Sequence, residues 1–339
     1  MITIRDVAKK ANVSISTVSH VINDTHYVKH ETKEKVLQAI HDLNYIPNNI
    51  AKSLRSGKTN TFGMIVPDNS NPYFAELSNI VEEIGYKNGF SVFLCNSNWD
   101  DDKEDNYIKL LINKKVDGIL LISSHKQNNR LINLSVSEIP IILSDCNIPD
   151  KEAIDHVVID NYHGGYQATR HLILLNHKRI ACITGPNQLS PSADRTKGYL
   201  KAHQDFGIKN DKSLVIKGDF LYQGGLEAME KLLGFSDPPT AVFACNDMMA
   251  LGALKAINSA GLKVPNQISI VGYDDIYLAA AFTPSLTTVA QPIRELATIS
   301  TNRLIEKIEE MNSGIIRNTH TILKPQLVIR NSTTINRNP

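Results

Sequence analysis

Cysteine is scarce in this sequence and nowhere placed for chemistry. Its four cysteines, Cys95, Cys146, Cys182 and Cys245, stand far apart in 339 residues. No C-x-x-C pair offers a zinc ribbon or a thioredoxin-type centre, so reduced, mostly buried thiols are expected. No apolar run approaches the ~18 residues of a membrane helix, which excludes helical spans. The opening residues, Met1-Ile2-Thr3-Ile4-Arg5-Asp6, lack the apolar stretch of a secretory signal, giving the expectation of a cytoplasmic protein. Signatures of catalysis are missing too. No G-x-G-x-x-G follows a strand-like run, and neither H-E-x-x-H nor G-x-S-x-G occurs. Ser56-Gly57-Lys58-Thr59 ends like a phosphate loop, but the earlier glycine it requires is replaced by Lys52. Asp100-Asp101-Asp102 reads as the acidic start of a helix, facing the positive end of its dipole, rather than as a metal site. No metal, no cofactor and no enzymatic activity are expected.

What the sequence does have is an uneven charge. The net charge is +1, yet residues 1–60 carry nine Lys/Arg against five Asp/Glu, and the remainder 27 against 30. A basic head on a mildly acidic body suggests a module that binds a polyanion. The head reads as three short helices. Ile4, Val7, Ala8 and Ala11 share one helical face. Asn12-Val13-Ser14 breaks it, and Ser14 is suited to cap a second helix that buries Val18, Val21 and Ile22. Val36, Ala39, Ile40 and Leu43 stripe a third. Helix, three-residue turn and helix is the helix-turn-helix arrangement. Pro47 stops the third helix. The stretch from Asn48 to Gly57 has room for one or two further turns, too few to be stable alone.

From residue 60 apolar runs alternate with amphipathic stretches. Phe62–Val66, Phe90–Cys95, Gly118–Ile122, Ile139–Leu143, Val157–Ile159, Ile180–Ile183, Ala241–Cys245, Ile268–Val271 and Thr287–Ala290 read as buried strands. Helical stripes such as Phe74, Leu77, Val81 and Ile84, or Met249, Leu251, Leu254 and Ile257, lie between them. Alternating β and α implies parallel sheets covered by helices, and this length implies two lobes. Asp160–Gly165 and Gln291-Pro292 are candidate crossings between them. The polar tail after Asn331 carries no leucine heptad, which argues against a tetramerising coil there.

Two segments carry a more specific likeness. Thr3-Ile4-Arg5-Asp6-Val7-Ala8-Lys9-Lys10-Ala11-Asn12-Val13-Ser14, followed by Ser16-Thr17-Val18-Ser19-His20-Val21-Ile22-Asn23, resembles the head of the lactose-repressor (LacI/GalR) family. Tyr45, Pro47, Ala51, Ser53 and Leu54 match its hinge. Val116–Leu121, Arg179–Pro186, Val271–Asp275 and Thr287–Pro292 extend the resemblance over the body, to about residue 332. Within the family the likeness is read as greatest to the ribose-operon repressors, with the purine repressors close behind. The resemblance implies an α/β fold: an all-α helix-turn-helix head (1–46), a hinge helix and linker (47–59), and a two-lobed body like periplasmic sugar-binding proteins. Its lobes would be two doubly wound parallel sheets, 60–160 with 291–322 and 161–290 with 323–339, the third crossing falling near Thr321–Leu323.

The resemblance also assigns roles. Ile15, Ser16 and His20 match base-reading positions: Ile15 for a thymine methyl, Ser16 as donor or acceptor, His20 for a purine N7. Thr17 and Ser19 are assigned to phosphates. Leu54 would wedge into the minor groove at the operator centre, with Lys52 and Arg55 on phosphates or groove edges. One head per half-site implies a homodimer on a near-palindrome. For the effector, Asn71, Tyr73, Phe74, Asp145, Arg195, Phe220, Asn246, Asp274 and Gln291 match the ribose-contacting set of the related ribose-binding protein, with Cys146 standing where that protein has an Arg. Leu189 and Pro191 replace the base-contacting Arg and Thr of the purine repressors, which argues against a purine. The resulting expectation is a repressor of a sugar-utilisation operon, released by D-ribose bound between the lobes. The alternative is the same fold answering to another pentose, a nucleoside or a purine, as co-repressor rather than inducer.

Overall fold

The computed structural model describes residues 2–46, 58–122, 139–145, 154–313 and 318–337. The chain divides into two units, Met1–Thr59 and Asn60–Pro339.

The first unit is helical. It contains α1 (Ile4–Ala11), α2 (Ile15–Asn23) and α3 (His30–Asp42). Helix α1 starts in a capping box, Thr3 with Asp6, so two orphan amides are satisfied reciprocally. Helix α2 starts at Ser14, whose Oγ accepts from the Thr17 amide at 3.1 Å. The stripes read from the sequence meet: Val7, Ala8, Ala11, Val18, Val21, Val36 and Ala39 form one buried core, with Ile4, Ile22, Ile40 and Leu43 against it. The hinge, with Lys52, Leu54 and Arg55, lies outside the described residues.

The second unit holds two six-stranded sheets. One contains β1 (Thr61–Val66), β2 (Ser91–Asn96), β3 (Gly118–Ile122), β4 (Ile141–Ser144), β5 (Asp155–Ile159) and β11 (His320–Leu323). Their order is β11-β5-β4-β3-β1-β2, and every neighbouring pair is parallel. The other contains β6 (Ile180–Thr184), β7 (Val215–Lys217), β8 (Ala241–Ala244), β9 (Ser269–Asp274), β10 (Thr287–Ala290) and β12 (Gln326–Val328), in the order β12-β10-β9-β8-β6-β7. Only β12 runs antiparallel, to β10.

Helices α4 (Pro72–Lys87) and α5 (Asp101–Asn113) follow β1 and β2. Asp100 caps α5, its carboxylate accepting from the Lys103 amide, and Asp101 and Asp102 occupy the first turn: the acidic triplet is a helix start. Helices α6 (Asn161–Leu174), α7 (Ser190–Asp205), α8 (Tyr222–Leu233) and α9 (Asp247–Ser259) serve the second sheet, followed by the short α10 (Tyr277–Ala281). Helix α11 (Ile293–Ser313) packs on α4 and on β3 to β5 of the first. The chain thus changes sheet three times: between β5 and β6, between β10 and β11, and between β11 and β12. The expected parallel sheets are present, with β12 added antiparallel at one edge. Like β7 it has only three residues, none of them buried, so no apolar run betrays either.

Candidate functional site

In the head, α2 presents Ile15 and Ser16 to solvent, Ile15 being 45% exposed. Thr17, Ser19 and His20 are half-buried. Several of these groups already have local partners. The Ser16 Oγ lies 2.7 Å and the Thr17 Oγ1 2.8 Å from the Ser14 Oγ. Asn23 Nδ2 donates to the Ser19 carbonyl at 2.8 Å. His20 Nδ1 is paired with the Thr25 Oγ1 at 3.0 Å, and its ring packs against His26 with centroids 4.3 Å apart. That pairing leaves Nε2 as the imidazole nitrogen free to meet a base edge. The sequence reading missed both supports of His20, because a Thr five residues on carries no periodic signal.

In the body, all nine residues expected to touch an effector surround one cleft of about 420 Å³, counting its open mouth. Trp99, Pro191, Pro67 and Ile122 complete the lining. Most of these side chains come from strand ends or the helix starts that follow them, where parallel sheets leave free amides and carbonyls. Asn71 caps α4, accepting from the Tyr73 amide at 3.0 Å. Asn246 caps α9 through Oδ1, accepting from the Met249 amide, and its Nδ2 donates to the Phe220 carbonyl at 2.8 Å. Asn246 therefore shapes the wall by holding Phe220, whose backbone is left-handed at φ 68.

Arg195 is the fixed point of the cleft. Its Nε donates to Asn161 Oδ1 at 2.7 Å and its Nη1 to the Cys245 carbonyl at 2.6 Å. Nη1 also lies 3.5 Å from Asp274 Oδ1, a loose, single contact. The guanidinium stacks 3.7 Å from the centre of the Tyr273 ring. Helices α6 and α7 approach so closely here that a Cβ on Gly165 would collide with the Arg195 carbonyl, so glycine at 165 is what lets Arg195 reach the cleft. Asn161, Tyr273 and Trp99 were not singled out from the sequence. Trp99 had a usable signal, the lone tryptophan at the carboxyl end of a strand.

The acids outnumber this one guanidinium. Asp274 accepts from Gln291 Nε2 at 2.7 Å, and the Tyr73 hydroxyl donates to Gln291 Oε1 at 3.3 Å. Burial pushes the Asp274 carboxyl up to about 7, against the pull of Arg195 and Gln291. Asp145 is likewise raised by burial, to about 6, with Arg195 opposing. Its Oδ1 is buried without a hydrogen-bond partner. Behind them Asp247, which accepts from Thr288 and from the Ile276 amide, is held well above the usual carboxylate range by burial and by Asp274. Two buried carboxylates line the cleft beside this guanidinium, and the unpartnered Asp145 Oδ1 asks a ligand for a hydrogen-bond donor. Phe74, Trp99 and Phe220 supply aromatic walls. Among the described residues no group of three or more His, Cys, Asp or Glu is placed to hold a metal, and no helix is long and apolar enough to cross a membrane.

Comparison with known proteins identifies the family of both units. Residues 3–48 match the model of bacterial regulatory proteins of the lacI family, and residues 59–325 that of periplasmic binding proteins and the sugar-binding domain of the LacI family. The HTH-type transcriptional repressor PurR of Haemophilus influenzae is 41% identical over 334 residues, 98% of each chain. The lac repressor dimer bound to operator and an anti-inducer superimposes with a TM-score of 0.88 at 26% identity, over 98% of this chain and 99% of that one. A LacI-family regulator from Enterococcus faecium with bound ribose gives 0.73 at 31% identity, over 82% of this chain and all of that one. These figures correct the expected kinship. The curated relatives at 40–41% identity are purine repressors, above the ribose-bound regulator, so neither the ribose-operon likeness nor release by D-ribose stands. The inference from Leu189 and Pro191 against a purine falls with them. Pro191 lines the cleft and Leu189 is buried, yet the donor-seeking carboxylates remain. A bacterial DNA-binding regulator acts where the DNA is, in the cytoplasm, and it is not an enzyme. With a helix-turn-helix head and a two-lobed binding body matched along nearly its whole length, the chain belongs to the LacI family of bacterial regulatory proteins.

Proposed function

We propose that the protein is a homodimeric transcriptional repressor whose hold on a near-palindromic operator is tightened by a purine in the cleft. The observation that carries this reading is the cleft itself: aromatic walls around buried carboxylates, in a chain 41% identical to a purine repressor. A purine is flat, so Phe74 and Phe220 cover its faces. Its edge N–H groups supply the donor that Asp145 Oδ1 lacks. The head reads half-sites through Ile15, Ser16 and His20, with Thr17, Ser19, Lys52 and Arg55 on the backbone. Exposed apolar side chains support a second copy as partner. Phe93 and Leu94 stand 51% and 46% exposed on β2, the edge of its sheet, and Tyr277 stands 70% exposed in the other lobe.

The test is operator binding by fluorescence anisotropy, titrated with guanine, hypoxanthine, adenine and D-ribose. A purine is expected to tighten binding about tenfold or more, within the usual range of coupling between two sites. Operator affinity that ignores every purine overturns the reading.

Leu54 gives a separate prediction about the other end of the molecule. A leucine wedge from each subunit unstacks the central base step and lets more of the protein contact the bent duplex. Leu54→Ala is expected to weaken operator binding by roughly 100-fold, the equivalent of a few kcal/mol, with the purine affinity of the free protein kept. Equal operator affinities for the variant and wild type, measured at one salt concentration, sink the wedge.

A further inference from the structure

Trp99, the chain's one tryptophan, sits in the turn between β2 and α5. The turn is tied down on both sides. The Ser97 amide donates to the Val66 carbonyl at 2.9 Å, Asn96 Nδ2 donates to Asn98 Oδ1 at 2.7 Å, and the Asp100 amide donates to the Ser97 carbonyl at 3.2 Å. Asn98 and Trp99 are both left-handed, with φ 56 and 60. A residue with a β-carbon does not choose that backbone by itself, so its surroundings impose the direction of the indole. The indole packs against the hydrophobic cores of both lobes. It meets Phe74 of its own lobe edge-on at 6.0 Å between centroids, and Phe220 of the other lobe at 6.2 Å. Phe220 is itself left-handed and held through its carbonyl by Asn246. Two aromatic rings, one from each lobe and each in an enforced backbone state, therefore touch across the cleft.

The spacing decides what that contact does. A flat ligand between two rings needs about 7 Å, two van der Waals layers of ~3.5 Å. The Trp99 and Phe220 centroids are only 6.2 Å apart and the rings are tilted by 36°, so a ligand reaching Asp145 and Asp274 lies inside the pair rather than between its rings. Phe220 also contacts the Arg195 guanidinium at 5.8 Å, which links the pair to the polar floor.

We propose that Trp99 is the latch of the cleft: its indole, carried by one lobe, closes on Phe220 of the other and holds the effector in. The proposal rests on reading the cleft as the effector site. A latch slows escape more than entry, and that split separates it from a residue that only supports the fold. In stopped-flow measurements on the full chain with guanine as probe, Trp99→Ala is expected to release guanine about tenfold faster while association changes less than about threefold. Trp99→Phe keeps an aromatic contact and is expected to recover most of the slow release. Release from Trp99→Ala at the wild-type rate overturns the latch, as does a loss confined to association. If no purine binds, the functional reading fails and the latch is judged on the ligand-free protein. There, Phe220→Ala should shift Trp99 emission to the red and expose it to acrylamide. Unchanged emission and quenching overturn the contact on which the latch depends.

Discussion

Asp274→Asn is expected to end the effector response and, at the same time, to stabilise the body at alkaline pH. The first effect follows from chemistry. Asn offers one acceptor and one donor group where the cleft needs an acceptor, so operator affinity should stay at its ligand-free value whatever purine is added. The second follows from linkage. Burial raises the Asp274 carboxyl from 3.8 to about 7. The folded protein keeps that proton in a range where the unfolded chain has lost it. The stability tied to it is fully present below about pH 4 and is lost as pH rises through about 7. Asn never ionises and so escapes the loss. With each pKa unit worth about 1.4 kcal/mol, the gain at pH 8 is of the order of 2–4 kcal/mol, and it shrinks steadily toward pH 4. Thermal melts of the variant and wild type at pH 5 and pH 8 check it. A Tm difference that does not grow with pH means the carboxyl is not the strained group.

Why such a residue is retained is then a question of function against stability. Asp145, Asp247 and Asp274 all sit nearly out of water, and none has the ideal partner that would lower its pKa to the usual range. A protein selected only for stability would place neutral groups there. Buried carboxylates in the cleft, one of them with an unfilled acceptor at Asp145 Oδ1, make sense as demand for a ligand, and the cost of keeping them is repaid when a donor arrives.

The legible part of this molecule was the part that packs. Val7, Ala8, Ala11, Val18, Val21, Val36 and Ala39 form the head core because three helical stripes were written at full contrast. Strands such as β3 and β6 were legible because every one of their residues is buried. Strands β7 and β12 have three residues each and no buried face, so period and run length both fail. The site was legible in a different way. Arg195 and Asp274 do come together, but their holders Asn161 and Tyr273 are ordinary residues until α6, α7 and β9 are assembled around them. Asn246 lines the cleft as expected, and its added work as a helix cap and as the support of Phe220 shows only in the assembled structure. The effector was misread for a physical reason. A polyol and a nucleobase both present an apolar face and a donor edge, so aromatic walls with carboxylates satisfy either, and residue identities alone do not separate them.

Arg195→Ala is expected to be the most damaging single change in the body, and its damage should depend on pH. The substitution removes the one guanidinium that, among the described residues, faces Asp274 and Asp145, and it strips the hydrogen-bond donors from Asn161 Oδ1 and the Cys245 carbonyl. Breaking a buried charge pair in this way costs about 3–5 kcal/mol. For a body of this size that lowers Tm by roughly 10 °C. Without Arg195 the carboxyls of Asp145 and Asp274, already raised by burial to about 6 and about 7, rise further. At pH 5 they hold their protons and need no cation, so the loss there should be the smaller one. At pH 8 they must either ionise unpaired or bind protons against the solution, and the loss should be full. Melts at the two pH values separate this from plain loss of packing, which would lower Tm equally at both. The double variant Arg195→Ala, Asp274→Asn sharpens the comparison. If the ion pair is the source, removing both partners should be less harmful at pH 8 than removing Arg195 alone, a coupling that side chains acting independently would not show.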